Sequence, residues 1–274
     1  MSEPHDSLLP DIEPAHIRAM FFDLDGTLLP MDLDEFIQSY FGAIGAYVKG
    51  QGLDVDAFSA GFARGMRKMA HHDPAITNCQ AFWNEFFQWA DAEAYDWQTI
   101  LLRFYSEEFP LVGKDVVPNP ASARVVQLLV EKGYPVVLAT MPYFPLPAVE
   151  ERLGWANVDK GAFARITHYE NSRASKPDEF YYAEQLVACG LRADEVLMVG
   201  NNTVEDGSFA QMGAHLYLAT DWLLNPNGIT LDDVPHGSMA ELATWVEQLP
   251  DCENPATDIA RGLVDEAACH ALLA

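Results

Sequence analysis

The sequence predicts an α/β fold in which a parallel sheet flanked by helices is interrupted, just after its first strand, by a helical insertion. Two observations indicate this fold. After residue 118, short apolar runs alternate with segments of helical spacing, which is typical of βαβ units. Between residues 30 and 118 no run resembles a strand, and apolar residues recur three and four positions apart. The chain has 274 residues, of which 49% are hydrophobic, so it can bury a substantial core.

The expected elements follow in chain order. Residues 1–17 contain three prolines and should form a flexible N-terminal arm. The first strand is expected at 17–23, and the insertion should contain an amphipathic helix. Its buried face is predicted to carry Ile37, Tyr40, Phe41, Ile44 and Val48. An aromatic-rich block, at residues 82–89 and then 95–105, is expected to be buried between neighbouring helices.

Beyond the insertion, helices are predicted at 121–132, 180–189 and 209–212, and strands at 134–140, 195–200 and 214–219. Ser238 and Glu241 form a capping box, so a last helix should begin there. The predicted domains are therefore a core of residues 18–29 and 119–250, a helical insertion of residues 30–118, and a loosely docked C-terminal tail of residues 251–274.

Two carboxylates one residue apart follow the first strand, in the run Asp23-Leu24-Asp25-Gly26-Thr27-Leu28. In an extended chain Asp23 and Asp25 point to the same side, and Gly26 allows the chain to turn just after them. Placing two acids together costs Coulomb energy unless a cation or a shared proton is present. The pattern therefore favours a magnesium-assisted nucleophile and acid/base pair over a simple turn.

Other polar groups follow later strands or lie in later loops of the predicted core. Thr140 ends one strand, Lys176 precedes a helix, and Asn201, Glu205 and Asp206 follow another strand. Ligands of open parallel sheets bind beyond the carboxyl ends of the strands, where all these groups should meet. Each is weak evidence alone, because Thr140 could cap a helix and Lys176 could be a solvated loop residue. Their combination predicts a phosphate and metal site.

The charge of the chain limits its partners. It has 41 acidic and 16 basic residues, a formal net charge of −25, which disfavours nucleic acid and anionic membrane surfaces. The four cysteines are far apart and include no CxxC pair, so we expect reduced thiols and a cytoplasmic protein. No apolar run is long enough for a signal peptide or a membrane span. The oligomeric state is not readable from the sequence.

The motif at 23–28, with Thr140, Lys176 and the run Gly200 to Asp206 in the same order, resembles the haloacid dehalogenase-like hydrolase superfamily across residues 18–250. The insertion at 30–118 is similar to the helical cap of one large group of these enzymes. The resemblance implies a Rossmann-like core, an inserted α-helical cap domain and a magnesium-dependent phosphatase acting on a small phosphorylated metabolite.

The resemblance also implies roles for individual residues. Asp23 would be the nucleophile that forms an aspartyl phosphate, and Asp25 the general acid/base. Thr140 and Lys176 would bind the phosphoryl group. Mg²⁺ would be held by Asp23, the Asp25 carbonyl and Asp206, with Glu205 as a competing ligand. Many relatives carry an aspartate where this chain has Asn201, so its affinity for Mg²⁺ is expected to be lower.

Three alternative functions are open at this point. A sugar phosphomutase or a phosphonate hydrolase would use the same nucleophile, and the second would need a cap lysine, for which Lys49, Lys68 and Lys114 are the candidates. A catalytically weak phosphometabolite-binding protein is suggested by Asn201. Haloacid dehalogenation is disfavoured, because a halide leaving group needs no proton donor and the dehalogenases lack an acid at the position of Asp25.

Overall fold

The computed structural model describes residues 8–91 and 95–274. Its strands are β1 Ala19–Phe22, β2 Val136–Leu138, β3 Phe163–Ile166, β4 Val196–Gly200, β5 His215–Ala219 and β6 His236–Gly237. They form one parallel sheet in the order β3-β2-β1-β4-β5-β6. This confirms the predicted α/β, Rossmann-like fold, with the order of the strands reversing between β1 and β4.

The strands are apolar on both faces because helices cover both sides of the sheet. In β1, Met20 and Phe22 belong to one buried cluster, whereas Ala19 and Phe21 belong to the cluster on the other face. Phe22 pairs with residues of both β2 and β4, so these three strands end at the same edge of the sheet. The loops after β1, β2 and β4 therefore meet at that edge.

Among the described residues between β1 and β2, four helices precede the helix that leads into β2. They are α1 Leu33–Gly50, α2 Val55–Ala70, α3 Asn78–Phe86 and α4 Trp97–Glu107. The later helices are α5 Pro120–Glu131, α6 Leu146–Trp155, α7 Glu179–Cys189, α8 Gly207–Gln211, α9 Met239–Gln248 and α10 Glu266–Leu273. The Ser238 capping box at the start of α9 is confirmed. No helix in these described ranges is long and apolar enough to cross a membrane.

The buried face of α1 differs from the predicted one. Tyr40, Ile44 and Val48 are buried as expected, together with Phe36. Ile37 and Phe41 are exposed instead. The buried residues recur every four positions, so a residue one position further along the helix projects to its flank.

The aromatic block is buried only in part. Its buried members are Phe82, Trp83, Phe86, Trp97, Phe104 and Tyr105, whereas Phe87, Trp89 and Tyr95 are exposed. Helix α2 can pack closely on α3 because residue 65 is glycine. A Cβ at Gly65 would lie 2.6 Å from the ring of Phe82. The insertion therefore has its own aromatic core.

Helix α6 connects the sheet to this aromatic core. The ring centroid of Trp155, at its end, lies 4.9 Å from that of Phe109 and 6.2 Å from that of Phe36. A Cβ at Gly113 would lie 2.0 Å from the Trp155 ring, so glycine is required there for this contact. Helix α6 of the core thus packs against the insertion both near its start, at Phe36, and near its end, at Phe109 and Gly113.

Described residues near both ends of the chain contact the core. Residues 1–7 of the expected flexible arm lie outside the described residues, but Leu8 exchanges two backbone hydrogen bonds with His236 of β6. In the tail, Ala260 and Gly262 accept hydrogen bonds from the guanidinium of Arg165 on β3, and Cys269 of α10 is fully buried. The tail therefore contacts the core through hydrogen bonds and one buried side chain, and it ends in the short helix α10. All four cysteines are free thiols.

Candidate active site

The loop after β1 presents Asp23 and Asp25 at the carboxyl edge of the sheet. The backbone N–H of Asp23 still donates to Val199 of β4, so strand pairing fixes its position. Gly26 has a φ of +79°, and a Cβ there would lie 2.2 Å from the amide nitrogen of Asn201. Glycine is therefore required for both the turn and the close approach. The Thr27 hydroxyl donates to Asp23 Oδ2 at 3.4 Å.

Lys176 joins two of the acids. Its Nζ lies 2.8 Å from Asp23 Oδ1 and 2.6 Å from Asp206 Oδ1. The lysine side chain is fully buried, so its charge must be paired there. The structure thus brings together three residues from widely separated parts of the chain, and fixes the ammonium beside the Asp23 oxygen.

Asp206 and Asn201 are oriented by the loop after β4. Asp206 Oδ2 accepts a hydrogen bond from the backbone N–H of Asn202, and a Cβ at Gly200 would lie 2.1 Å from the same carboxylate. The Asn201 amide donates to the carbonyl of Trp222 at 2.7 Å, and its oxygen accepts from Thr27. Both oxygens of Asp206 are therefore engaged, whereas Glu205 lines the cavity described below.

The site holds more negative than positive charge. Burial raises the pKa of Asp23 to about 7, Lys176 opposes this, and the neighbouring carboxylates Asp206 and Asp25 raise it further. Burial also raises the pKa of Glu205. The pKa of Lys176 lies well above its usual value, because the attraction of Asp206 and Asp23 outweighs the effect of burial. The ammonium is thus firmly protonated.

A residue that the sequence analysis did not select completes the site. Arg152 of α6 is fully buried, and its Nη1 lies 2.5 Å from Asp25 Oδ2. Its guanidinium also lies over the ring of Phe144, 4.3 Å from the centroid. The other oxygen of Asp25, Oδ1, is buried and has no hydrogen-bond partner among the described residues.

The family model for haloacid dehalogenase-like hydrolases matches residues 17–213, well over half of the chain and all the acids above. The chain belongs to this family. A comparison with curated proteins found no match.

Solved structures of haloacid dehalogenase-like hydrolases share the fold. A phosphatase of this family from Thermococcus onnurineus is 17% identical, with a TM-score of 0.52, covering 86% of this chain and 100% of that one. A 2-haloacid dehalogenase from Pseudomonas syringae pv. Tomato DC3000 is 18% identical, with a TM-score of 0.55, covering 84% of this chain and 98% of that one. At such identities the likeness concerns the fold alone.

Thr140 follows β2, the strand that pairs with β1, at the carboxyl edge of the sheet. Its carbonyl accepts hydrogen bonds from the hydroxyls of Thr167 and Tyr181, which fix the backbone after β2. Its own hydroxyl is buried and has no partner in the described part of the chain. An unsatisfied buried hydroxyl is costly, so this group is available to a ligand.

The residues present fit the Mg²⁺ that haloacid dehalogenase-like hydrolases generally use. The site offers oxygen donors, which hard cations prefer, and it places the carboxylate of Asp23 close enough to those of Asp206 and Asp25 for their charges to interact. In residues 8–91 and 95–274, no three His, Cys, Asp or Glu side chains are already gathered as ligands. The Lys176 ammonium lies between two of the acids, Asp23 and Asp206. The oxygen donors of the site therefore suit Mg²⁺ in their chemistry and in their negative charge.

A cavity of about 220 Å³ opens above Asp23 and Asp25. It lies between the loops at the edge of the sheet and helices α1 and α2 of the insertion. Asn201, Asn202 and Glu205 line its lower side, and Tyr143 and Phe144 line another. A small molecule can therefore reach the Asp23 carboxylate beneath the insertion.

Proposed function

We propose that the protein is a magnesium-dependent phosphatase that hydrolyses a small phosphorylated metabolite through an aspartyl phosphate on Asp23. The observation that carries the proposal is the Asp23 carboxylate. It lies in an open cavity, 2.8 Å from the Lys176 ammonium and two residues from a second carboxylate. That arrangement supplies a nucleophile, a charge to balance the phosphoryl group and a proton donor.

The proposed reaction has two steps. An oxygen of Asp23 attacks phosphorus, the bond to the leaving oxygen breaks, and Asp25 gives that oxygen a proton. Water then attacks the aspartyl phosphate, Asp25 takes the proton of the water, and phosphate leaves Asp23 free. Lys176 and the Thr140 hydroxyl bind the phosphoryl oxygens throughout, so the charge developing on them is balanced.

We propose that Asp23, the Asp25 carbonyl and Asp206 hold Mg²⁺, which when bound would offset charge on the phosphoryl oxygens. Glu205 remains the competing ligand, because it lines the cavity with Asp23 whereas both oxygens of Asp206 accept hydrogen bonds. Asn201 contributes a neutral oxygen and holds Thr27 and the Trp222 loop. We further propose a cytoplasmic location and the domain boundaries given above, with residues 30–118 as the cap.

Among the alternatives, the phosphonate hydrolase has the least support. Its imine would need a lysine near Asp23, but Lys49, Lys68 and Lys114 are all exposed, and none of the described residues that line the cavity is a lysine. Haloacid dehalogenation is disfavoured by Asp25, whose carboxylate would face that of a haloacid. A sugar phosphomutase and a weakly active binding protein stay as the competing proposals.

The first test measures p-nitrophenyl phosphate hydrolysis with Mg²⁺ in the wild-type protein and in Asp23→Asn. We expect activity in the first and a loss on the order of 10³-fold or more in the second, because the nucleophile is removed. Asp34→Asn, which changes an exposed acid at the start of α1, is the matched control and should retain activity.

Three outcomes would contradict the proposal. Activity retained in Asp23→Asn would refute the covalent route. Chloride release from 2-chloropropionate without phosphate hydrolysis would make the protein a dehalogenase. Interconversion of hexose phosphates faster than phosphate release would favour the mutase.

A further inference from the structure

A large part of the lining of the cavity at Asp23 is apolar. Its apolar walls are formed by Leu33, Ile37 and Phe41 of α1, Met66 of α2, Met141 and Leu224. The three residues of α1 are each four positions apart and so form one stripe along the helix. This stripe lies beside the buried face of α1, and it faces the cavity rather than the core of the insertion.

These walls leave apolar surface uncovered. Leu33, Ile37, Phe41 and Leu224 are 38%, 38%, 42% and 39% exposed. Grouping exposed apolar side chains around one opening is unfavourable in water, and such a group marks a binding site. The cavity ends on the nucleophile, so the molecule that covers these walls is the part of the substrate attached to phosphate.

The charges around the cavity exclude a second anionic group on that part. The ionisable acids in the lining are Asp23, Asp25 and Glu205, and no Lys, Arg or His is among the described residues that line it. The basic residues of α2, which are Arg64, Arg67 and Lys68, are not among the residues that line the cavity. The guanidinium of Arg64 lies instead 3.7 Å from the ring centroid of Trp89. A carboxylate or second phosphate there would face Glu205 without a counter-charge.

The volume of the cavity limits the size of the substrate part that is attached to phosphate. An apolar cavity of about 150 Å³ can hold benzene, so 220 Å³ accommodates a ring or a short chain. A second cavity of about 340 Å³ lies behind Met66 and Tyr143, which line both cavities. Phe82, Trp83 and Leu101 form part of its wall, and its ionisable acid is Glu170. A longer chain that displaced these two shared side chains would meet further apolar surface, with no Lys, Arg or His among the described residues that line the second cavity.

We infer that the substrate is the phosphate monoester of an uncharged, apolar alcohol, whose hydrocarbon part contacts the stripe of Leu33, Ile37 and Phe41. This rests on the proposed phosphatase function and adds the class of its leaving group. It places sugar phosphates and phosphorylated carboxylic acids outside the preferred substrates. Most polar groups of the lining, such as those of Asn201 and Tyr40, already have protein partners, and no Lys, Arg or His is among the described lining residues to pair with a carboxylate.

The test compares n-alkyl phosphates from ethyl to hexyl, and hexyl phosphate with the same ester bearing a terminal carboxylate. We expect kcat/KM to rise roughly three- to fourfold per added methylene while the chain is being buried. We expect the carboxylate analogue to fall at least tenfold below hexyl phosphate. Equal or better turnover of the carboxylate analogue, or of glucose 6-phosphate, would overturn the inference.

A variant pair tests the stripe itself. Ile37→Lys places a cation among these walls, at a site exposed enough to tolerate it, and should invert the preference between hexyl phosphate and its carboxylate analogue. Ile229→Lys is the matched control, because Ile229 is also exposed and does not line the cavity. An unchanged preference in Ile37→Lys would overturn the contact with α1.

Failure of the inference and failure of the proposed function give different results. If p-nitrophenyl phosphate is hydrolysed and the alkyl series shows no preference for apolar chains, only the inference fails. If no phosphate ester is hydrolysed, p-nitrophenyl phosphate included, the phosphatase itself fails.

Discussion

At the scale of single residues, the contact between Arg152 and Asp25 decides how the proposed acid is presented. A buried arginine without a partner would be strongly destabilising, and Asp25 Oδ2 provides that partner. The contact holds one oxygen of Asp25 and leaves Oδ1 without a hydrogen bond among the described residues. We therefore expect Arg152 to act as a positioning residue that directs Oδ1 of the acid toward the substrate.

Arg152→Met tests this role through leaving groups. Without its partner Asp25 loses a fixed orientation, so reactions that need proton donation should slow more than those that do not. We expect turnover of an alkyl phosphate to fall about tenfold or more relative to turnover of p-nitrophenyl phosphate, whose leaving group needs little protonation.

Two further variants make the result specific to that contact. Arg152→Lys keeps the charge and should recover part of the alkyl phosphate activity. Arg124→Met removes an exposed arginine paired with Glu247 and should alter neither substrate. A uniform decrease for both substrates in Arg152→Met would instead indicate a merely structural role.

Sequence analysis identified the site residues that belong to motifs in a recognisable order along the chain. It did not identify Arg152, which belongs to none. Asp23, Lys176 and Asp206 were chosen from their positions after strands and in loops, and they lie in contact, although their roles stay predictions. Arg152 belongs to no motif. Its signal was an arginine on the same helical face as Ala148 and Val149, where an unpaired charge would not be buried.

At the scale of secondary-structure elements, glycine determines how closely the helices of the insertion pack. At Gly65 of α2 the ring of Phe82 occupies the space of a side chain, so α3 can approach. Gly42 of α1, by contrast, is exposed, and a Cβ added to it would have no described atom within 4 Å. Glycine therefore allows close packing in α2, whereas in α1 it only lowers the stability of the helix.

Replacing each glycine by alanine should have opposite effects. Gly65→Ala forces Phe82 to move and should lower the free energy of unfolding by about 1–3 kcal/mol. Gly42→Ala should raise it by roughly 0.5–1 kcal/mol, because alanine favours the helix and meets nothing. Urea denaturation of both variants checks the pair, and equal destabilisation would contradict the packing described here.

The elements that were not predicted from the sequence are either very short or contain residue types that are uncommon in such elements. β6 has two residues, too few for any periodic pattern. β3 contains Arg165, which is polar in sequence and buried in the fold, where it donates to Gln185. α6 begins at Leu146-Pro147, and proline is compatible with only the first turn of a helix. The long periodic helices and the Val-rich strands were predicted because hydrophobic spacing alone defines them.

At the scale of the whole molecule, the C-terminal tail is held to the core by buried polar groups. Arg173 donates to the carboxylate of Glu184 on α7 and to the carbonyl of Val264 in the tail. Burial raises the pKa of Glu184 to about 7, and the hydrogen bonds and charge of Arg173 oppose this rise. Folding therefore favours the protonated form of this acid.

This pKa gives stability a definite dependence on pH. The unfolded chain releases the Glu184 proton near the ordinary value of 4.5, and the folded chain near 7. The contribution is fully present below about pH 4.5 and is lost as pH rises through 7, on the order of 3 kcal/mol in total. In Glu184→Gln, the free energy of unfolding should fall less between pH 5 and pH 8.

Urea denaturation at pH 5, 6, 7 and 8 measures that difference in slope. Glu247→Gln, at an exposed position on α9, should leave the slope of the wild-type protein unchanged. If Glu184→Gln and the wild-type protein have parallel profiles, the buried carboxyl group does not titrate in this range.

Helix α6 contacts both the insertion and the loop that follows β1, and so links the two. One of its residues, Trp155, is packed against Phe36 and Phe109, while another, Arg152, holds Asp25. A chimera that received only residues 30–118 from a relative would therefore lose the partner surface of this helix and disturb the acid beneath it. Exchange of specificity between members of the family requires transplanting α6 together with the segment it supports.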